Sequence, residues 1–205
     1  MEPTLDRKRL LAELGYGAPE ALARALEVLY ASGLTNPRKT GIAASKEARV
    51  REVLADTLIR RCARCAADGR GDGRIPVPVE DPRQCDSCGG SANRVALARA
   101  ADACRRGGIG RVLVVGGAPG VHAALSSEWP TDLALRIVSG TSRHTRQDAA
   151  AQLAWADVVL VWGATQLDHR VSDHYTRAGS PKVVVVRRRG IEALADALAE
   201  HVGDR

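Results

Sequence analysis

Four of the five cysteines fall into two pairs, Cys62-Ala63-Arg64-Cys65 and Cys85-Asp86-Ser87-Cys88, with nineteen residues between them. A C-x-x-C turn presents two sulfurs to one side, and two such turns joined by a loop of this size can close four thiolates tetrahedrally around one Zn²⁺. The spacing predicts a zinc ribbon over residues 60–92 with Cys62, Cys65, Cys85 and Cys88 as ligands. The zinc is expected to be structural, since four cysteines leave no open coordination position. Two unrelated thiol pairs or a disulfide framework are the alternatives. Gly89 and Gly90 follow the second pair, where the chain must turn away and a residue without Cβ turns most easily. Arg60, Arg61 and Arg64 crowd the first pair and would partly offset the negative charge of a Zn(Cys)₄ centre. Cys104, the odd thiol, falls on an apolar helix face and reads as core.

A second group of residues suited to chemistry stands directly after four short apolar runs. These are Gly116, Gly117 and Gly120 after the first, Thr141, Arg143 and Arg146 after the second, Thr165 and His169 after the third, and Arg187 after the fourth. Glycine loops ahead of helix N-termini expose backbone N–H groups, and arginines beside them suit phosphate or another anion. Tight strand-to-helix turns and a solvated loop edge account for the same residues equally well. His122, His144, Asp168 and His169 are the set from which acid–base chemistry would be drawn, with satisfied surface histidines as the alternative, and no catalytic residue is assigned. Neither G-x-G-x-x-G nor G-x-x-x-x-G-K-[ST] occurs, which argues against ordinary NAD binding and P-loop hydrolysis.

The elements that position these groups fall into three segments. Residues 1–59 read as helical: Leu10, Leu11 and Leu14 share a face, and Ala21, Leu22, Ala25, Leu26, Leu29 and Tyr30 keep helical spacing. A turn over Gly33–Gly41 then leads to a helix carrying Val50, Val53, Leu54, Leu58 and Ile59. Two helices flanking a turn with Arg38 and Lys39 fit a DNA-reading helix-turn-helix, an ordinary bundle or a dimerisation arm. Between the cysteine pairs, Ile75, Val77 and Val79 alternate like a ribbon strand. Residues 93–205 alternate helices with strands at Arg111–Gly116, Leu133–Val138, Asp157–Trp162 and Lys182–Val186. Short, wholly apolar strands separated by helices imply a parallel sheet of about four strands covered on both faces. The fold class is therefore α/β, Rossmann-like in its second half, and ligands of such sheets bind outside the carboxyl ends of the strands.

The chain is 205 residues long with net charge +6, and its 30 basic residues include only four lysines. Residues 93–205 hold fifteen basic against eleven acidic side chains, which leans towards an anionic partner. With no Phe and three Trp, the core must be aliphatic. No apolar run is long enough to cross a membrane, and the first residues lack a signal-peptide pattern. A cytoplasmic protein with reduced thiols is expected.

The segment Arg111-Val-Leu-Val-Val-Gly-Gly, with Trp155-Ala-Asp-Val-Val-Leu-Val and with Val171-Ser-Asp-His-Tyr175 ahead of Pro181-Lys-Val183, resembles the bacterial family called domain of unknown function 2325. The likeness covers roughly residues 110–190 and implies a Rossmann-like fold without implying an activity. Asp173 separates Ser172 from His174 here, where the family has the two adjacent. Taken together, the chain reads as a zinc-ribbon binding protein, nucleic-acid-associated or regulatory, in a DNA-processing or defence complex. Other protein subunits or a second copy of the chain are the expected partners; an enzyme or sensor for a nucleotide-like molecule is the rival, and a protein–protein scaffold or dimerisation module is the third possibility.

Overall fold

The computed structural model describes residues 3–67, 72–142, 145–163, 167–177 and 179–204. They divide into two compact units, Met1–Ser91 and Ala92–Arg205.

The first unit runs β1 (Thr4–Asp6), α1 (Arg7–Glu13), α2 (Pro19–Ala31), β2 (Gly41–Ala43), α3 (Glu47–Thr57), β3 (Leu58–Arg61), α4 (Ala63–Ala67) and β4 (Ile75–Pro78). Asp6 caps α1 by accepting the Arg9 N–H at 2.8 Å, and Pro19 opens α2, where its missing donor is no loss. The helical spacing is what builds the core: Leu10, Leu11, Leu14, Ala21, Ala25, Leu29, Val50 and Leu54 bury against one another. Leu58 and Val77, from the strands that carry the cysteines, belong to the same cluster, so the cysteine segment shares its core with the helices.

Three local expectations change. The helix predicted to run through Leu58 and Ile59 stops at Thr57, because Leu58 turns extended (φ −113°, ψ 146°) and its run pairs with Ile75–Pro78. That ladder is parallel, with Leu58 opposite Ile75 and Arg61 opposite Pro78, so the cysteine pairs are not joined by a hairpin. Strands β1 and β2, three residues each and paired antiparallel, are too short to register as alternation. A Cβ at Gly41 would lie 2.3 Å from Thr4 Cγ2 and 3.2 Å from Leu5 O, so a larger residue there would make Thr4 move. With β2 in residues 32–46, α2 and α3 lack the turn of about three or four residues that defines a helix-turn-helix.

The second unit runs α5 (Ala92–Arg106), β5 (Arg111–Val115), α6 (Pro119–Glu128), β6 (Ala134–Val138), α7 (Arg146–Trp155), β7 (Val158–Trp162), α8 (His169–Thr176), β8 (Val183–Val186) and α9 (Ile191–Gly203). Its four strands form a parallel sheet in the order β6-β5-β7-β8. Alternate side chains go to opposite faces. Val112, Val114, Val158 and Leu160 pack with α5, α6 and α9, while Leu113, Val115, Val159 and Val161 pack with Ala149, Val171 and Tyr175 of α7 and α8. The inner strands β5 and β7 are buried almost throughout and the outer strands only in part. Because every pair is parallel, all four carboxyl ends meet one edge, and strand order reverses between β5 and β7. No helix among the described residues is long and apolar enough to cross a membrane.

Tyr175 locks α8 to α7 by donating its hydroxyl to Gln152 Oε1. Burial, helped by the charge of Asp148, pushes its phenol up to about 12. The folded state thus holds this proton more tightly than the unfolded chain, whose tyrosine titrates near about 10, so its contribution is full below that value and lost as pH rises towards 12. Thermal unfolding of the second unit should weaken steadily over that window, and Tyr175→Phe should flatten the decline. An equally steep decline in the Phe variant would exclude Tyr175 as the cause.

Candidate functional site

β3 delivers Cys62 to the start of α4, and the single turn of that helix brings Cys65 round to the same side, with Ala66 N–H donating to Cys62 O at 2.9 Å. After β4, Asp81 caps a 3₁₀ turn (Pro82–Gln84) by accepting the Arg83 N–H at 2.9 Å, and this turn delivers Cys85. Gly89 N–H then donates to Cys85 O at 2.9 Å, closing the second knuckle. Gly89 and Gly90 both adopt positive φ, 54° and 86°, as the exit turn demands.

The four sulfurs lie within 4.8 Å of one another, all four residues are buried, and none is in a disulfide. Zn–S bonds of about 2.3 Å in a tetrahedral centre set the S···S edge at about 3.8 Å. The Cys62 and Cys88 sulfurs stand 3.7 Å apart, a metal-site spacing rather than a covalent one. The set can hold one metal ion. Burial raises the Cys65 and Cys88 thiols, and neighbouring sulfurs raise Cys65 further. At Cys85 burial also pushes upward, but the N–H groups of Cys62, Cys88 and Ser87 outweigh it and bring the thiol down to about 6. The Cys85 sulfur is therefore the one biased towards thiolate, and a metal ion supplies what Cys65 and Cys88 need to lose their protons.

What holds the two knuckles together is Arg60, the residue before the end of β3. Its N–H donates to Asp86 Oδ2 at 2.7 Å and its Nη2 to Asp86 Oδ1 at 2.6 Å, while Asp86 N–H returns a bond to Arg60 O at 2.9 Å. Its Nη1 reaches Leu14 O at 2.6 Å and its guanidinium sits 5.8 Å from the Tyr16 ring centre. Gly15 permits this approach: it has φ 88°, and a Cβ there would fall 2.9 Å from Arg60 Nη1. Arg60 thus positions the knuckles through Asp86, a role the sequence reading missed when it counted the arginine as charge compensation. Arg64 donates to Gly90 O at 3.4 Å, and Arg61 is buried with its Nε unpartnered among the described residues.

The second group of predicted residues is distributed more widely. Gly116 and Gly117 (φ 102° and 95°) turn the chain after β5, and His122 packs on them with Nε2 2.8 Å from Gly116 O. Gly120 is exposed in the first turn of α6, with open space where a Cβ would stand. Thr141 is exposed and its hydroxyl meets Ser139 at 3.1 Å. Arg143, His144 and Thr165 lie outside the described residues. Asp168 ties the loop after β7 to the loop after β6 through its N–H to Gly140 O at 2.8 Å, and its carboxylate caps α8 at the Arg170 N–H. His169 is exposed on the first turn of that helix. Arg146 leaves the strand edge: it begins α7 behind the Thr145–Asp148 capping box and lines an open groove of about 620 Å³ between α7 and α8. Arg170 and His174 of α8 and Arg177 at its C-cap line the same groove, with Ala150 and Leu153 from α7 and with Asp173, which pairs Arg177 at 2.6 Å. Arg187 lies elsewhere, in a groove beside β8 with Arg188, Glu200 and Asp204. Arg170 and Arg177 escaped notice because only the packing of α7 against α8 makes their helical spacing meet Arg146.

Trp162 is the other organiser that went unnoticed. It ends β7 fully buried, donates its indole N–H to Arg188 O at 3.0 Å, and lies against Gly117, where a Cβ would be 3.4 Å from Cε3. No protein-family model, no curated protein and no solved structure matches this chain.

Proposed function

We propose that the chain is a zinc-ribbon binding protein, a nucleic-acid-associated or regulatory accessory subunit of a DNA-processing or defence complex, with zinc as a structural ion. The observation that carries it is the gathering of four buried, unoxidised cysteine sulfurs within 4.8 Å, at an edge length fit for a tetrahedral thiolate centre. Four sulfur ligands favour zinc over the oxygen-seeking divalent ions. In this reading the second unit is Rossmann-like, as its resemblance to the domain of unknown function 2325 family implies, and it supplies the phosphate contacts. The groove between α7 and α8 supports that part: Arg146, Arg170 and Arg177 against Asp173 leave it cationic. Aromatic side chains make up 3% of the chain, so contact is with the phosphate backbone and not by base stacking.

Titration of duplex DNA with the protein at several salt concentrations tests this. Affinity should fall steeply with salt, and Arg146→Ala, Arg170→Ala and Arg177→Ala together should flatten the log–log slope by about 3. An affinity independent of salt, or a slope unchanged in the triple variant, would remove nucleic acid from the proposal.

A second reading rests on the reversal of strand order between β5 and β7, the place where sheets of this order hold small ligands. There the protein would bind a nucleotide-like molecule on the Gly116–Gly117 turn and Thr141. Binding of a free nucleotide that survives the triple arginine change would favour it.

A further inference from the structure

The outer strand β8 offers an edge that is unusually ready for pairing. It consists of four valines, Val185 is 47% exposed, and β8 is last in the sheet order. Exposed edges are normally blunted by charge or proline, and β8 carries neither. Of the charged residues that flank it, Lys182 is turned inward to donate to Leu153 O and Ala156 O, and Arg187 lines a groove shared with the last helix. Lys182 O accepts the Val159 N–H, so the parity of a parallel ladder directs the backbone of residues 182, 184 and 186 to β7 and that of Val185 outward.

Beside this edge runs a groove of about 380 Å³ lined by β8 and α9. The helix starts just beyond the carboxyl end of the strand and must fold back along it, so Arg187 and Arg188 lie at one end of the groove and Glu200 and Asp204 at the other. Among the described residues Arg187, Glu200 and Asp204 enter no ion pair. The surface is therefore positive at one end, negative at the other, and apolar between, with small Ala193 and Ala197 on the helix wall.

Such a surface is complementary to itself after a half-turn. We propose that the protein forms a two-fold homodimer through antiparallel pairing of β8 with β8 of a second copy, joining two four-stranded sheets into one of eight. A two-fold centred on Val185 pairs that residue with its own copy through both backbone bonds. It brings Arg187 of each protomer to Glu200 and Asp204 of the other, twice per dimer. The two α9 helices then lie side by side on one face, where Ala197 lets them approach.

Light scattering on the full chain across a wide concentration range tests the pairing, with three variants. Val185→Pro removes a donor that points out of the sheet, so the fold stays and the dimer is lost. Arg187→Glu should weaken the dimer by about tenfold or more through like-charge contact. The combined change Arg187→Glu, Glu200→Arg and Asp204→Arg restores opposite charges across the axis and should recover it. A monomer at every concentration overturns the proposal. So does a dimer unaffected by Val185→Pro and Arg187→Glu, or an Arg187→Glu loss that the charge-swapped chain fails to recover.

Discussion

Replacing Cys85 by Ser is expected to abolish metal binding and unfold the first unit while leaving the second folded. Backbone N–H groups bring the Cys85 thiol down to about 6 while burial raises Cys65 and Cys88, so Cys85 is ready to meet a cation before those two. A serine hydroxyl in its place stays protonated and leaves three sulfurs. Structural zinc centres contribute about 10–16 kcal/mol, as much as the whole stability of an ordinary domain, about 5–15 kcal/mol. The first unit has no margin to absorb that loss: β3 and β4 are four residues each, and the cysteine turns are what close them. The second unit keeps both of its own apolar clusters. Metal content should fall from one ion per chain to none, with part of the helical circular dichroism lost and one unfolding transition remaining. Cys104→Ser is the control. That thiol is buried on α5, pushed up to about 11 mainly by burial, and its replacement should leave the metal in place. A soluble Cys85→Ser protein with full metal content would contradict the assignment.

Trp162→Ala is expected to cost the second unit about 3–5 kcal/mol, the range for emptying a large buried aromatic site. The ring is 1% exposed in the cluster beneath α5 and α9. It touches Gly117 from the loop after β5 and bonds Arg188 from the loop after β8, so its removal also frees two of the four loops at the carboxyl edge. Trp162→Phe separates the two effects: it keeps most of the packing, leaves the Arg188 carbonyl without its donor, and should cost about 1–3 kcal/mol. Chemical denaturation of the three proteins measures this directly. Equal stability in all three would mean that Trp162 does not organise that edge.

How much of this was legible beforehand follows the range of the interactions. The cysteine cluster could be read from spacing alone, because ligand geometry is encoded in the two C-x-x-C turns. The four-strand parallel sheet was equally plain, since strands buried on both faces must be apolar along their whole length, as Val158–Trp162 is. Leu58 and Ile59, the first half of the Leu58–Arg61 strand, were taken for helix because the ladder partner, Ile75–Pro78, is remote in sequence and a tertiary pairing overrode a weak local preference. Arg60 was read as charge compensation because its acceptors, Leu14 and Asp86, stand 46 and 26 residues away. Arg146 and Arg187 looked alike as basic residues after strands, yet one turns into the groove between α7 and α8 and the other into the groove beside β8.

Native mass spectrometry of the intact protein, before and after a strong chelator, tests the central claim most directly. The account predicts one zinc ion per chain, retained at neutral pH and removed only with loss of structure in the first unit. A chain that purifies without metal in reducing buffer, with the Cys62–Cys65 and Cys85–Cys88 segments still folded, would contradict it.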